Sequence, residues 1–186
     1  MESTKRAKVI GITGQAGSGK DTVFSMFEAL LPELDVVRVA FGDEVKKEYA
    51  EHYGLDLEVL YDEGKKTHRI GLQEWGTEHR RAANKNYWID KIKTQVDFLV
   101  KTADLVVITD VRFINEAEFL KNEYDASIVR VLGSRCRTLR SLHESEVELF
   151  SVEVDWTLPN KSTLTDLAVA SQFILQELGL EPSPIT

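Results

Sequence analysis

Val9-Ile-Gly-Ile-Thr-Gly-Gln-Ala-Gly-Ser-Gly-Lys-Asp-Thr22 is the most informative stretch of this sequence. It opens with VIGIT, an apolar run typical of a buried strand. Gly14-Gln-Ala-Gly-Ser-Gly-Lys20 follows directly and fits the pattern G-x-x-x-x-G-K. We expect a helix to begin near Thr22 and to run to about Leu31. A strand, a glycine-rich turn and a helix in this order predict a loop that binds phosphate groups through its backbone N–H groups.

The residues of this loop are predicted to bind ATP. Gly14, Gly17 and Gly19 let the backbone turn so that successive N–H groups, including that of Ser18, face the phosphates. Lys20 supplies a full charge to the β- and γ-phosphates as the transition state develops. A glycine-rich turn that binds nothing is the alternative, and the strand and helix on either side of the loop argue against it.

The position after Lys20 departs from the strict motif. Ser or Thr would hold Mg²⁺ there, whereas this chain has Asp21 followed by Thr22. A carboxylate beside a triphosphate is repelled by about 1 to 4 kcal/mol at contact distance, depending on the effective dielectric. We therefore predict that Asp21 faces the metal ion or its waters and that Thr22 bonds the α-phosphate. The alternative is that Asp21 only caps the helix.

The rest of the chain alternates strand-like and helix-like segments. This alternation predicts right-handed βαβ crossovers, and hence an α/β fold of three layers in which helices flank a parallel sheet on both faces. No repeat, low-complexity tract or linker divides residues 1–186, so a single domain is expected. Further strands are predicted at residues 36–41, 105–109, 128–132 and 156–158, and helices near 44–53, 68–83, 88–102, 115–122 and 164–178.

Composition narrows the class of protein. The net charge of −8 argues against a nucleic-acid binder, whose affinity rests on Lys and Arg, although a local basic pocket can still hold a small anion. No apolar run approaches the roughly 20 residues that cross a bilayer, so no membrane partner is expected. Cys136 is the only cysteine, which fits a reducing cytoplasm. An exposed helix could support a homodimer.

One helical face is a candidate for binding the phosphoryl acceptor. Arg69, Gln73, Gly76 and Arg80 are four, three and four residues apart, so a regular helix would align them. Two arginines and an amide suit a phosphate ester and the edge of a base. Trp75, beside this line, is interpreted as a core or stacking residue. A solvated charged face is the alternative for the two arginines. We assign that role instead to four neighbours: Glu74, Glu78, His79 and Arg81.

Two further groups of residues follow the later strands. Asp110 comes directly after the apolar run LVVIT, at the sheet edge where open α/β sheets bind ligands. We predict that Asp110 joins the Mg²⁺ shell, through water, or bonds the acceptor, and that Arg112 clamps a phosphate; an ion pair between the two is the alternative.

Three arginines in the stretch after the next strand have no acidic neighbour: Arg135, Arg137 and Arg140. They predict a lid that closes over ATP and neutralises the transferring group. An unliganded, solvated run is the alternative there.

The chain resembles the phage-type deoxynucleoside monophosphate kinases along nearly its whole length. The blocks that carry the resemblance are GQAGSGKDT at 14–22, FGDEVKKEYAEHYGL at 41–55, RIGLQEWGTEHR at 69–80, ITDVRFINEAEFL at 108–120, HESE at 143–146 and NKSTLTDL at 160–167. The chain is also similar to animal phosphomevalonate kinase, which shares the phosphate-binding loop and the arginine lid. Gln73 and the following Gly76-Thr77-Glu78 favour the nucleotide kinases.

This resemblance implies an adenylate-kinase-like P-loop kinase fold with ATP at Lys20. It implies an acceptor-binding helical region at about 43–102 and a lid at about 133–146. The cations that it implies near the acceptor phosphate are Lys46, Arg69, Arg80 and Arg112. Those that it implies in the lid are Arg135 with Arg137 or Arg140.

The predicted reaction is transfer of the γ-phosphoryl group of ATP to a deoxynucleoside monophosphate, with Mg²⁺ bridging the β- and γ-phosphates. Lys20 and the lid arginines would act on the transferring group, and Gln73 would help to read the acceptor. Two alternatives stay open: a kinase of the same fold acting on a phosphorylated non-nucleotide such as phosphomevalonate, and a P-loop module that binds ATP for regulation. The family implies a phage origin, and thus the cytoplasm of the host cell.

Overall fold

A parallel sheet forms the centre of the protein, whose computed structural model describes residues 6–61, 67–133 and 148–185. The strands in these residues are β1 Lys8–Thr13, β2 Val36–Val39, β3 Leu105–Val111, β4 Ser127–Gly133 and β5 Trp156–Asn160. They lie in the order β2-β3-β1-β4-β5. Every neighbouring pair is parallel, which confirms the predicted α/β fold.

Helices cover both faces of this sheet, as the alternating sequence pattern predicts. The longer helices of the described residues are α1 Lys20–Leu30, α2 Phe41–Tyr53, α3 Arg69–Glu74, α4 Tyr87–Thr102, α5 Ile114–Tyr124 and α6 Leu164–Glu177. Helices α1 and α6 pack on one face through an apolar cluster that includes Phe27 and Leu175. Helices α2, α4 and α5 pack on the other face through a cluster that includes Tyr49, Ile92 and Leu120.

The central strand β3 contributes to both layers because its side chains alternate between the two faces of the sheet. Leu105 and Val107 belong to the cluster of α1 and α6, whereas Val106 and Ile108 belong to that of α2, α4 and α5. All four are fully buried, which explains the continuous apolar sequence of this strand. The strand extends two residues beyond its predicted end, so Asp110 lies inside it, next to its last residue.

Three chain connections meet at one edge of the sheet, because the carboxyl ends of parallel strands share an edge. Residues 14–19 follow β1, and α2 begins at Phe41, two residues after β2 ends. The sequence predicted Phe41 as the last residue of the strand, and the structure makes it the first residue of the helix. Arg112 and Phe113 follow β3 and lead into α5. This edge is therefore where the predicted site residues are brought together.

The helix predicted over residues 68–83 is not regular. Helix α3 ends at Glu74, and a π-helical turn continues from Trp75 to Arg81. The backbone N–H of Ala82 donates to the carbonyl oxygen of Thr77, 3.0 Å away and five residues earlier. The wider turn rotates the residues that follow relative to a helix with about 3.6 residues per turn. The helical face predicted from the sequence is therefore lost after Gly76.

Candidate active site

The loop between β1 and α1 has the backbone shape that its glycine pattern predicts. Gly14, Gly17 and Gly19 have φ angles of 149°, 78° and 94°, which residues with a side chain rarely adopt. A Cβ atom on Gly14 would lie 2.6 Å from the carbonyl oxygen of Val131. The loop therefore needs glycine both for its turns and for its close approach to β4.

A residue far along the chain fastens this loop. Asn160, the last residue of β5, donates from Nδ2 to the carbonyl oxygen of Ser18 at 2.9 Å. Strand β4 lies under the loop as well, because a Cβ atom on Gly133 would be 2.6 Å from the Cα atom of Ser18. Sequence reasoning missed Asn160, since nothing in the loop motif indicates a partner 142 residues away.

Polar atoms of the loop are arranged to receive an anion. The Nζ atom of Lys20 donates to the carbonyl oxygens of Gly14 and Gln15 at 2.7 and 3.0 Å, which places its charge over the loop. The Oγ atom of Ser18 and the Nε2 atom of Gln15 are buried and have no hydrogen-bond partner among the described residues. Buried polar atoms normally have a partner, and the phosphate chain of a nucleotide would supply one. These residues therefore fit ATP.

A cleft of about 510 Å³ extends from this loop to α2, α3 and the π-helical turn. Cations outnumber carboxylates in its lining, although the whole chain has a net charge of −8. A pocket of this kind can bind a polyanionic substrate in an acidic protein. The cations are Lys20, Arg38, Lys46, Arg69, Arg81 and Arg112, and the carboxylates are Asp21, Asp43, Asp110 and Glu116.

The cleft brings together most of the residues that the sequence assigned to the acceptor. They come from α2, α3 and the end of β3, which are distant in sequence. Arg69 and Gln73 are half-buried in α3, so neither belongs to a fully solvated face. The predicted acceptor residues in the lining are Lys46, Arg69, Gln73, Asp110 and Arg112.

The π-helical turn reverses the expected positions of two neighbouring arginines. Arg81, five residues after Gly76, lines the cleft and is only 8% exposed. Its assignment to the solvated face is therefore wrong. Arg80, which a regular helix would align with Gly76, is absent from the lining. The other residues assigned to the solvated face are exposed as predicted: Glu74, Glu78 and His79.

Glu48 of α2 holds both Arg80 and Trp75. Its carboxylate accepts hydrogen bonds from Nε of Arg80, from Nε1 of Trp75 at 3.2 Å and from the hydroxyl of Tyr87 at 2.5 Å. Burial opposes the ionisation of Glu48, but the hydrogen bonds from Tyr87 and Arg80 outweigh burial and lower its pKa. Trp75 is 6% exposed and packs against the ring of His52 instead of lining the cleft. Substrate binding by Arg80 and Trp75 stays a prediction.

Arg38 is a cleft residue that sequence reasoning missed. It is the third residue of β2, and its guanidinium pairs with Asp43 at 2.7 Å. Asp43 also pairs with Lys46 at 2.8 Å. Burial raises the pKa of Asp43, but the hydrogen bonds and charges of Lys46 and Arg38 outweigh burial, so the pKa is lowered. The Nζ atom of Lys46 lies 4.0 Å from the ring centre of Tyr61, which further fixes this cation in the wall.

Asp110 has a structural task that was not predicted. Its two carboxylate oxygens accept the backbone N–H groups of Phe41 and Gly42 at 2.8 and 2.7 Å. These are the first residues of α2, so the carboxylate satisfies the orphan donors and the partial positive charge of that helix end. The alternative ion pair with Arg112 is not formed in the described residues. A role of Asp110 toward Mg²⁺ or the acceptor stays a prediction.

The lining of the cleft fits a magnesium ion that substrate phosphates largely hold. Asp21 is exposed at the second position of α1 and lines the cleft, and no described hydrogen bond makes it a helix cap. No group of three or more His, Cys, Asp or Glu side chains in the described residues could hold a metal ion without substrate. Mg²⁺ in kinases commonly takes one or two carboxylates and completes its shell with phosphates and water. Asp21 and Asp110 fit such a site.

Some predictions fall on parts of the chain that the structure leaves undescribed. Arg135, Arg137 and Arg140 of the predicted lid lie outside the described residues, as does the block HESE at 143–146. Among the helices that are described, none is both long enough and apolar enough to cross a bilayer.

The fold and the loop together define a P-loop kinase. The chain is similar in structure to APS kinase from Mycobacterium tuberculosis, with a TM-score of 0.53 and 15% identity over 94% of this chain and 98% of that chain. It is also similar to shikimate kinase from Aquifex aeolicus, with a TM-score of 0.50 and 17% identity over 92% of this chain and 96% of that chain. At these identities the likeness concerns the fold alone.

The sequence comparisons identify the family. The phosphomevalonate kinase family model matches residues 12–126. A protein of Acanthamoeba polyphaga mimivirus named "Putative deoxynucleotide monophosphate kinase" is 31% identical in an alignment of 180 positions that covers 85% of this chain and 91% of the relative. The chain belongs to the phosphomevalonate kinase family of P-loop kinases, and its resemblance to the deoxynucleotide monophosphate kinases is confirmed.

Proposed function

We propose that this kinase transfers the γ-phosphoryl group of ATP to the phosphate of a deoxynucleoside monophosphate. The observation that carries the proposal is a single cleft with two differently built ends. The loop with Lys20 suits a triphosphate. Beyond the loop, the lining includes Lys46, Arg69 and Arg112, which suit a second phosphate group. A cleft that holds two phosphorylated molecules together supports phosphoryl transfer between them.

The proposed reaction needs no general base. The acceptor phosphate already carries an anionic oxygen at pH 7, so the rate depends on in-line positioning and charge neutralisation. Lys20 would stabilise charge on the transferring group, and Arg135, Arg137 and Arg140 of the proposed lid would add to it. Asp21 and Asp110 would hold Mg²⁺, directly or through water, and the ion would supply further positive charge at the phosphates.

Recognition of the nucleoside is proposed for the wall that α3 and its neighbours form. The amide of Gln73 can both donate to and accept from the edge of a base. The aromatic side chains of Phe41, Trp88 and Phe113 line the same cleft as an almost fully buried apolar floor, on which a base and a sugar would lie. We therefore expect Gln73→Ala to weaken the preference among bases while the Michaelis constant for ATP stays unchanged.

Phosphomevalonate is the second candidate acceptor, and the family model over residues 12–126 supports it. Its phosphate group would engage the same cations of the cleft. A base, however, makes better use of an amide and of flat aromatic surface than a short aliphatic chain does. This chemistry and the name of the mimivirus relative favour a nucleotide.

The test is ADP release from Mg-ATP in the presence of deoxynucleoside monophosphates, nucleoside monophosphates or phosphomevalonate. We expect one or more deoxynucleoside monophosphates to stimulate release strongly, and Lys20→Ala to abolish the stimulation. Lys93→Ala is the matched control, because Lys93 forms an exposed ion pair with Glu123 and does not line the cleft. Stimulation by phosphomevalonate alone would contradict the nucleotide acceptor. Release that no acceptor changes would contradict transfer to a small phosphorylated molecule.

A further inference from the structure

An arginine–glutamate pair is buried in the wall of the cleft, and no proposed step uses it. Arg81 is 8% exposed and Glu116 is 2% exposed, and Nη1 of Arg81 lies 3.8 Å from Oε1 of Glu116. Arg81 belongs to the π-helical turn and Glu116 to the first turn of α5. A buried ion pair is often no more stabilising than apolar residues of similar size. Stability alone therefore gives little reason for this pair.

The guanidinium of Arg81 is held by several contacts within the protein. It donates from Nη1 to the carbonyl oxygen of Lys85 at 2.8 Å and from Nη2 to Oδ1 of Asn115 at 3.1 Å. Its centre also lies 3.4 Å from the ring centre of Phe113. A direct contact with substrate would break several of these interactions. Arg81 is therefore suited to hold other residues in place.

Glu116 links this guanidinium to the segment that follows β3. Its Oε2 atom accepts the backbone N–H of Arg112 at 2.9 Å and that of Phe113 at 3.2 Å. Its other oxygen lies toward Arg81. One buried carboxylate thus ties the π-helical turn to the backbone from which the side chain of Arg112 projects.

The side chain of Arg112 differs from that of Arg81. It lines the cleft and makes no hydrogen bond or ion pair with any described residue. A guanidinium on a fixed backbone needs only its own rotamers to be ordered when it binds a phosphate through two hydrogen bonds. Fixing the backbone of Arg112 therefore lowers the entropy cost of binding the acceptor.

We propose that Arg81 and Glu116 are positioning residues, and that their buried pair fixes the backbone of Arg112 so that its guanidinium meets the acceptor phosphate. The inference rests on the proposed acceptor role of Arg112. It does not depend on whether the acceptor is a nucleotide or phosphomevalonate, since both present a phosphate group.

The first test compares Glu116→Gln with Glu123→Gln in the full chain. Glu123 lies on the same helix, is exposed and pairs with Lys93 at 2.7 Å, so it controls for the loss of a carboxylate. We expect Glu116→Gln to raise KM for the acceptor about tenfold, with kcat and KM for ATP changed by less than about twofold. Glu123→Gln should change none of them. Arg81→Lys should act like Glu116→Gln, and the double variant should be little worse than either single variant, because the pair acts as a unit.

A second measurement needs no turnover and separates this inference from the proposed function. Amide hydrogen exchange at Arg112 and Phe113, and binding of inorganic phosphate to the ADP-bound protein, are followed in the same variants. We expect about tenfold faster exchange and about tenfold weaker phosphate binding in Glu116→Gln. If the wild type phosphorylates no acceptor tested, the proposed function fails and phosphate binding alone decides the positioning role.

Two outcomes would overturn the positioning role. One is an unchanged affinity of Glu116→Gln for acceptor and phosphate. The other is an equal loss of affinity for ATP and for acceptor, which would indicate a general structural defect instead of a local effect on Arg112. If Glu116→Gln does not fold, the same affinities measured in Arg81→Lys decide whether the positioning role holds.

Discussion

The two ends of the cleft are built from different parts of the polypeptide. At the loop end the backbone makes the site, through the positive φ angles of its glycines and the carbonyl oxygens that hold Lys20. At the acceptor end side chains make the site, and their places depend on packing contacts such as those of Asp43 with Lys46 and of Glu116 with the backbone of Arg112. A site made of contiguous backbone is visible in a motif, whereas a site made by packing depends on contacts between distant segments.

This difference also matches what each end has to recognise. A triphosphate makes the same demands of every P-loop kinase, so a short backbone motif can serve all of them. Acceptors differ, and the family model and the mimivirus relative of this chain carry the names of two different ones. Variation between related kinases is therefore expected to concentrate in the helices that carry the acceptor residues.

The largest expected effect distinguishes the loop end of the cleft from the acceptor end by the kinetic constant that each substitution changes. Lys20→Ala should lower kcat by about 10³-fold or more, because it removes a charge that acts on the transferring group. Lys46→Ala should raise KM for the acceptor about tenfold and leave KM for ATP unchanged, because we propose that its charge acts on bound acceptor. Steady-state kinetics with each substrate varied in turn checks both. Similar effects of the two substitutions on the same constant would remove the distinction between the ends.

The second prediction tests the π-helical turn through stability. At pH 8, above the raised pKa of Glu116, Arg81→Gln should lower the free energy of unfolding by about 3 kcal/mol, because it leaves Glu116 buried without its ion-pair partner. Arg80→Gln should lower it by less than about 1 kcal/mol, because Arg80 is 37% exposed and Glu48 keeps its other donors. Urea unfolding of both variants gives the comparison. A greater loss at Arg80 would contradict the register of the turn.

The third prediction compares two glycines within the loop. Gly14→Ala should lower the free energy of unfolding by about 2 kcal/mol or more, because its Cβ atom would collide with the carbonyl of Val131 as well as strain the backbone. Gly17→Ala should cost about 1 kcal/mol, because its φ angle of 78° is strained but the space around it is open. Thermal or urea unfolding checks the order. Equal costs would show that the approach to β4 does not constrain the loop.

The last prediction is a pH dependence of stability that belongs to the acceptor end. Burial, assisted by the charge of Asp110, raises the pKa of Glu116 from its ordinary 4.5 to about 7, against the amides of Arg112 and Phe113 and the charge of Arg81. Between these pH values the folded protein keeps a proton that the unfolded chain has lost. The contribution of Glu116 to the free energy of unfolding therefore falls as the pH rises from about 4.5 to about 7.

Glu116→Gln should remove this dependence, so the variant should gain stability relative to the wild type between pH 5 and pH 7.5. Urea unfolding at the two pH values measures it, with Glu123→Gln as the control. The lowered pKa values of Asp43 and Glu48 act in the opposite direction, with loss of stability as the pH falls below about 4, outside this window. A constant difference between wild type and Glu116→Gln would contradict the raised pKa.

The fold and the loop end could be predicted from the sequence because their signals are local. The apolar run of β3 indicates a strand buried on both faces, and the loop motif names each of its residues in order. The interpretation of residues 68–83 as a regular helix failed for a physical reason. Periodicity assumes about 3.6 residues per turn, and nothing in Trp75–Arg81 indicates the wider turn that brings Arg81 into the cleft.

The residues that sequence reasoning missed make their contacts across the fold. Arg38 lines the cleft and Asn160 reaches Ser18 only because their strands end at the same edge of the sheet. Glu116 looks like an ordinary surface residue of a helix until the packing of α5 buries it. Predicting such contacts requires the order of the strands and the rotation of each helix, which no local pattern contains.

The hydrogen bond from Asn160 to the loop has a consequence for how the protein is made. The phosphate-binding motif leaves the ribosome before the strand whose Asn160 holds it, because Asn160 comes 142 residues after Ser18 in the chain. We expect a nascent chain to lack tight nucleotide binding until residue 160 has emerged and β5 has joined β4. Until the side-chain amide of Asn160 can donate its hydrogen bond to the loop, we therefore expect the motif to bind ATP only weakly during synthesis.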